Sequence, residues 1–248
     1  MKSMKHALTS LAFLLFTFAV DAGITPGSKD LGAIWFIGDS ITQSNGDGDS
    51  QGSPRKSLYD LLLENGYSFS YTGHHDRNWD GLPETGANVA DNLYHYHSGI
   101  SGIRIGEVGG DTGVAPRLGN FWKRGRLAVV KPNVILIMLG TNDVSNMADA
   151  PSRLKKLVAG IYQLPEVGDP TIFLATIPPN RRTAPERAND TKNVALFNAA
   201  VPGIVSAFQA QGKDLSAGDD LWLQADTSGF AAHRRLEEGG LEGWCGQY

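Results

Sequence analysis

Short apolar runs alternate along this chain with longer stretches that are apolar on one side only. Three runs lack the every-second-residue alternation of a half-exposed strand: Ala33-Ile34-Trp35-Phe36-Ile37, Val134-Ile135-Leu136-Ile137-Met138-Leu139 and Thr171-Ile172-Phe173-Leu174-Ala175-Thr176-Ile177. Such runs read as strands buried on both faces, the habit of a parallel sheet. Strands are therefore predicted over 32–37, 68–72, 134–139 and 171–177. Helices are predicted over 54–65, 115–124, 149–164 and 191–211. The first places Leu58, Leu61 and Leu62 on one face and stops at Gly66. The last presents Val194, Phe197, Val201, Ile204, Val205 and Phe208 to a core, and Pro202-Gly203 should kink or interrupt it. Pro178-Pro179 should end the third apolar run. Strands alternating with helices predict an α/β fold, a three-layer α/β/α sandwich with a parallel central sheet.

The polar groups at the ends of these runs carry the candidate chemistry. Gly38-Asp39-Ser40 follows the first run, so a hydroxyl stands at the carboxyl edge of a sheet, where open α/β sheets bind ligands. Ser40 can supply both a nucleophile and, through its own N–H, a donor to an oxyanion. The bland reading is an ordinary turn. Gly140-Thr141-Asn142-Asp143 follows the second run, and the Asn142 amide can donate to an oxygen that becomes negative. Asn142 and Asp143 can equally cap the next helix, or Asp143 can hold the loop while Asn142 faces the site. Between these blocks lies Gly99-Ile100-Ser101-Gly102-Ile103-Arg104-Ile105, whose glycines allow close backbone approach and unusual φ. The Gly102 N–H is a third candidate donor.

Taken in this order, the three blocks resemble the SGNH (GDSL-type) hydrolase superfamily, and within it the secreted carbohydrate-esterase branch that includes acetyl xylan esterases. The resemblance runs from about Gly32 to about Leu215. It implies a flavodoxin-like sandwich and a serine carboxylic ester hydrolase that needs no cofactor. Ser40 would be the nucleophile, with an oxyanion hole made by Ser40, Gly102 and Asn142. Acetyl groups on a plant polysaccharide such as xylan would be the substrate. The segment from His74 to His97, with Trp79, Tyr94 and Tyr96, would line a sugar cleft, or else be a solvated loop packed on the domain.

The C-terminal part departs from the pattern. Family members end with an Asp-x-x-His segment that supplies the acid and base, and no such segment follows Leu215 here. The tail holds one histidine, His233, and Asp226 precedes it by too many residues. A serine hydroxyl without a base is a poor nucleophile. Three explanations stand: His233 reaches Ser40 by another loop path, the chain is a variant with little activity, or the tail is read out of frame. The third accounts best for a tail that lacks an expected last strand from Ser216 onward and ends in a charged, Gly-interrupted run, Arg234 to Gly240. The rivals to an active polysaccharide esterase are a catalytically impaired carbohydrate-binding protein and a lipase or lysophospholipase.

Length and charge narrow the rest. Residues 1–22 read as a signal peptide: Lys2 and Lys5 precede an apolar stretch from Leu8 to Val20, and Val20-Asp21-Ala22 offers small residues for cleavage. Residues 23–215 suit one esterase domain and 216–248 an atypical tail. A secreted, extracellular monomer is expected, with no membrane contact after cleavage. A net charge of −4 argues against a nucleic-acid partner. Cys245 is the only cysteine, so no intrachain disulfide forms. No zinc-ligand spacing is present, and the Asp-rich loop 44–50 lacks the EF-hand pattern. Asn189-Asp190-Thr191 is an N-glycosylation sequon, and Asn180-Arg181-Arg182 stand at the predicted sheet edge.

Overall fold

The computed structural model describes residues 28–43, 53–75, 96–109, 113–146, 148–178 and 190–218. The leader, the loop 44–50, most of the 74–97 segment, Asn180-Arg181-Arg182, Asn189, Asp226, His233 and Cys245 lie outside the described residues.

The first apolar run forms strand β1 (Asp30–Gly38), continued by a single helical turn, α1 (Ser40–Gln43). Helix α2 (Ser53–Glu64) leads to β2 (Ser68–Thr72), and a two-residue strand β3 (Ser98–Gly99) follows. Helix α3 (Val114–Phe121), a 3-10 turn (Gly125–Ala128) and β4 (Val134–Met138) come next. A second 3-10 turn (Thr141–Asn146) leads into α4 (Ala150–Tyr162), β5 (Thr171–Ala175), α5 (Asp190–Gln209) and β6 (Leu215–Gly218).

The sheet order is β2-β1-β4-β5-β6, with β3 pairing the end of β1, and every pairing is parallel. Leaving out the short β3, this is the flavodoxin-like order, whose direction reverses beside β1. A crevice at the carboxyl ends of the strands is expected at that reversal, between β1 and β4. Ser40 follows β1 and Asn142 follows β4.

Period-2 geometry divides each buried strand between two cores. Trp35, Ile37, Ile135, Ile137, Ile172 and Leu174 face α3, α4 and α5, where Leu118, Leu157, Val158, Phe197 and Val201 meet them. Ile34, Phe36 and Val134 face the other way, against Leu58 and Leu62 of α2 and Tyr71 of β2. The expected three layers follow: one helix on one face, three on the other. Among the described residues no helix is long and apolar enough to cross a membrane.

Two expectations need correction. Pro202 does not interrupt α5, which continues through it as one element. Val194, Phe197 and Val201 before it, and Ile204, Val205 and Phe208 after it, anchor both halves to the core. Pro202 and Gly203 are exposed, so the helix accepts the missing hydrogen bond on its solvent side. The tail also does not lack a strand: Leu215–Gly218 pairs in register with Ile172–Ala175, so a boundary at 215 falls inside the sheet. Ser216, Ala217 and Gly218 are small and carry little apolar signal; pairing with a buried neighbour, not propensity, makes this strand.

Candidate active site

The turn from β1 into α1 is tight because Gly38 has no side chain. A Cβ there would lie 1.8 Å from Thr42 Oγ1 and 2.9 Å from the Met138 carbonyl oxygen. Only glycine lets the helix turn fold back over the strand end. Asp39 then caps the turn: its Oδ1 accepts the Ile41 N–H at 3.0 Å, and its carbonyl accepts the Gln43 N–H at 2.9 Å. The first N–H of a helix has no intrahelical partner. At α1 that N–H belongs to Ser40, whose side chain is partly exposed at the sheet edge. Buried Arg55 closes the other end of the turn by donating from Nε to the Thr42 carbonyl at 2.9 Å.

The second block is fastened to the first by Gln43. Its Oε1 accepts the Ser101 N–H at 2.5 Å, and Gly99 runs close against the Gln43 backbone. One residue on, Gly102 takes φ +72°, the left-handed conformation expected of this turn. The third block is woven into the second by three bonds. Asn142 Nδ2 donates to the Ile103 carbonyl at 3.0 Å, Arg104 Nε donates to the Asn142 carbonyl at 3.2 Å, and the Ile105 N–H donates to Asp143 Oδ2 at 3.1 Å. One amide proton of Asn142 is thereby fixed and the second is left to point elsewhere. A continuous path thus runs from the Ser40 turn through Gln43 and Ser101 to Gly102, and from Ile103 to Asn142.

Asp143 holds this loop and does not cap the following helix. Its Oδ1 accepts Arg153 Nη2 at 2.8 Å in a pair with the carboxyl fully buried, while α4 begins after Asp149. Burial pushes the Asp143 carboxyl up, and the Arg153 guanidinium and the Ile105 N–H pull it part of the way back. Asp39 is wholly buried and its carboxyl is raised to about 6, chiefly by burial; the Ile41 N–H and the Thr141 hydroxyl lower it, and the charge of Asp143 raises it.

A second serine–histidine contact lies beside this assembly. Ser98 Oγ accepts the Trp35 Nε1–H at 2.7 Å and stands 2.7 Å from His74 Nδ1, in a bond whose direction the His74 tautomer sets. The His74 ring stacks on Phe121 at 3.9 Å, and its pKa falls to about 3, first through burial and then through His75, Arg124 and Arg117. Ser98 is fully buried, which bars any substrate from its hydroxyl. His97 Nδ1 accepts the Gly99 N–H at 2.9 Å, which ties that ring to the backbone of β3. Among the described residues no group of three His, Cys, Asp or Glu side chains could hold a metal ion.

Gln43, Arg104 and Arg153 were not legible as site residues. Arg104 did carry a signal, a lone charge between Ile103 and Ile105, both of which are buried.

Comparisons with known proteins bear on the fold and the family. A multidomain esterase of Ruminococcus flavefaciens is 27% identical over 218 residues, which cover 82% of this chain and 26% of that protein. The chain therefore spans about a quarter of that relative's length. Among solved structures, a Clostridium thermocellum family 3 carbohydrate esterase superposes with TM-score 0.53 at 25% identity, covering 76% of this chain and 77% of the other. A family 3 carbohydrate esterase from Talaromyces cellulolyticus shares the fold, with TM-score 0.50 at 16% identity over 75% and 76% of the two chains. The GDSL-like Lipase/Acylhydrolase family matches residues 36–233, from inside β1 to His233. A match over more than half of the 248 residues, on a fold with the serine block at its switch point, places the chain in that family.

Proposed function

We propose that the chain is a secreted serine carboxylic ester hydrolase that removes acetyl groups from a plant polysaccharide such as xylan. The observation that carries this reading is the bonded path joining the Ser40 turn, the Gly102 turn and Asn142 at one sheet edge. Ser40 Oγ attacks the ester carbonyl. The Ser40 N–H, the Gly102 N–H and the Asn142 amide receive the oxyanion, and water then releases the acid from the acyl-enzyme. A histidine acts as general base and an aspartate orients it; His233, the last residue of the family match, is that base under the first of the three explanations for the tail. The carbohydrate esterases among the similar structures support a sugar ester as substrate.

The test is hydrolysis of p-nitrophenyl acetate and of acetylated xylan. Ser40→Ala should lower kcat at least about 1,000-fold, and Asn142→Ala about 100- to 1,000-fold. Turnover retained in Ser40→Ala removes the nucleophile from its role. A wild-type chain that binds xylan and hydrolyses no ester selects the carbohydrate-binding alternative, which the missing Asp-x-x-His segment favours.

A further inference from the structure

A strip of positive charge, of which Lys123, Arg124 and Arg126 meet no carboxylate among the described residues, borders the sheet edge that carries Ser40. From 112 to 142 the chain holds Arg117, Lys123, Arg124, Arg126 and Lys131 and no acid, within a chain of net charge −4. Two of these cations are engaged within the protein. Lys131 Nζ donates to the Leu127 and Ala128 carbonyls and lies 4.3 Å from the centre of the Trp122 ring, and Arg117 has partners of its own. Lys123 and Arg124 are exposed and meet no carboxylate among the described residues. Arg126 lays its guanidinium 5.2 Å from the centre of the Tyr96 ring, and its buried Nε has no acceptor among the described residues. Arg153, by contrast, meets Asp143 and Asp149, and Lys213 meets Asp169.

The position of the strip follows from the sheet. The Leu127 N–H donates to the Gly73 carbonyl at 3.1 Å, just beyond β2, so the turn bearing Arg124 and Arg126 rests on that strand's carboxyl end. His75 bridges to His97, and the next residues, Ser98 and Gly99, pair Ile37 and Gly38 of β1. Two strand spacings, about 10 Å, thus separate this turn's support from the strand end that precedes Ser40. Arg124 and Arg117 already act electrostatically at that edge, since both disfavour a proton on His74.

We propose that Lys123, Arg124 and Arg126 form a cationic subsite that holds uronate carboxylates of an acidic acetylated polysaccharide while Ser40 works on a neighbouring sugar. The proposal rests on the esterase reading above and names its substrate class. A guanidinium presents a fork of donors matched to a carboxylate. The Tyr96 ring beneath Arg126, itself packed against the core, supports that guanidinium. Neighbouring like charges repel one another, and an anion relieves that repulsion.

The experiment compares acetate release from acetylated glucuronoxylan and from the same polymer with its uronates reduced to neutral sugars. At low salt KM should be about tenfold lower on the acidic polymer, and the preference should vanish near 0.5 M NaCl. The triple variant Lys123→Gln/Arg124→Gln/Arg126→Gln should lose the preference and keep kcat/KM on p-nitrophenyl acetate; the reversed-cation variant Lys123→Arg/Arg124→Lys/Arg126→Lys should restore most of it. Equal KM on the two polymers, or a preference that survives the triple variant, overturns the proposal. Should the triple variant fail to fold, Arg124→Gln alone, at an exposed position, is required to weaken the preference several-fold. Affinity electrophoresis in the two polymers reads the subsite without turnover. Retarded migration in the acidic polymer by a chain inactive on every ester therefore upholds the subsite while the esterase reading fails.

Discussion

Asp39 shows how much one buried carboxyl can impose on the residue beside it. It fixes the Ser40 turn through the Ile41 N–H, yet burial makes its charged form costly and lifts its pKa to about 6. A raised folded-state pKa stabilises the protein fully below the unfolded value of 3.8, and that contribution is lost as pH rises through about 6. Its size is roughly 3 kcal/mol. His74 acts with the opposite sign: its pKa is lowered from 6.5 to about 3, so its contribution is present above 6.5 and is lost as pH falls toward 3. Asp39→Asn keeps a capping oxygen and removes the charge. Relative to that variant the wild type should therefore lose stability between pH 4 and pH 7, read as urea midpoints; a constant gap across that range would contradict the raised carboxyl. Serine, glycine and asparagine were legible in the sequence because each stands at a strand end or in a Gly-rich turn. The burial of Asp39 was not, since whether a carboxyl beside a nucleophile faces water or core depends on what is packed above it.

Among the elements, the loop before α3 and the turn after β4 are held together mainly by polar bonds, and Arg153 of α4 closes that join from below. Its guanidinium meets the fully buried Asp143 carboxyl, which in turn holds Ile105. Arg153→Met should cost about 3–5 kcal/mol in urea unfolding because it leaves that charge uncompensated. Adding Asp143→Asn should recover most of the loss; no recovery would mean that the arginine stabilises by its stem alone. Continuous apolar runs and helical patterns predicted β1, β2, β4, β5 and the four longer helices to within a few residues, because each buries several apolar side chains along its length. β3 and β6 escaped for a shared reason. Ser98-Gly99 and Leu215-Ser216-Ala217-Gly218 contain almost no apolar signal, and partners distant in the chain define them. At Pro202 the helix is not interrupted, a local rule yielding to a buried face on both sides of it.

For the molecule as a whole, the strand order decides where chemistry can stand. Ser40 and Asn142 come from the two strands that flank the reversal of direction, and the Gly102 turn follows the short strand that pairs the end of β1 on its other side. That arrangement also governs assembly in time. β1 appears early in the chain, yet it pairs with residues 68–72, 98–99 and 134–138. The proposed nucleophile thus rides on a strand whose last neighbour is translated roughly a hundred residues later. Parallel pairings over such separations require large loops to close first, which slows folding. After dilution from urea, recovery of acetate-ester hydrolysis should lag the burst of helical circular dichroism and coincide with the slowest change in tryptophan fluorescence, because Trp35 is central to β1 and completely buried. Activity returning with the helical signal would show that the serine cradle forms before its sheet. A nascent chain ending before β4 can therefore display the Gly-Asp-Ser sequence but not a reactive centre.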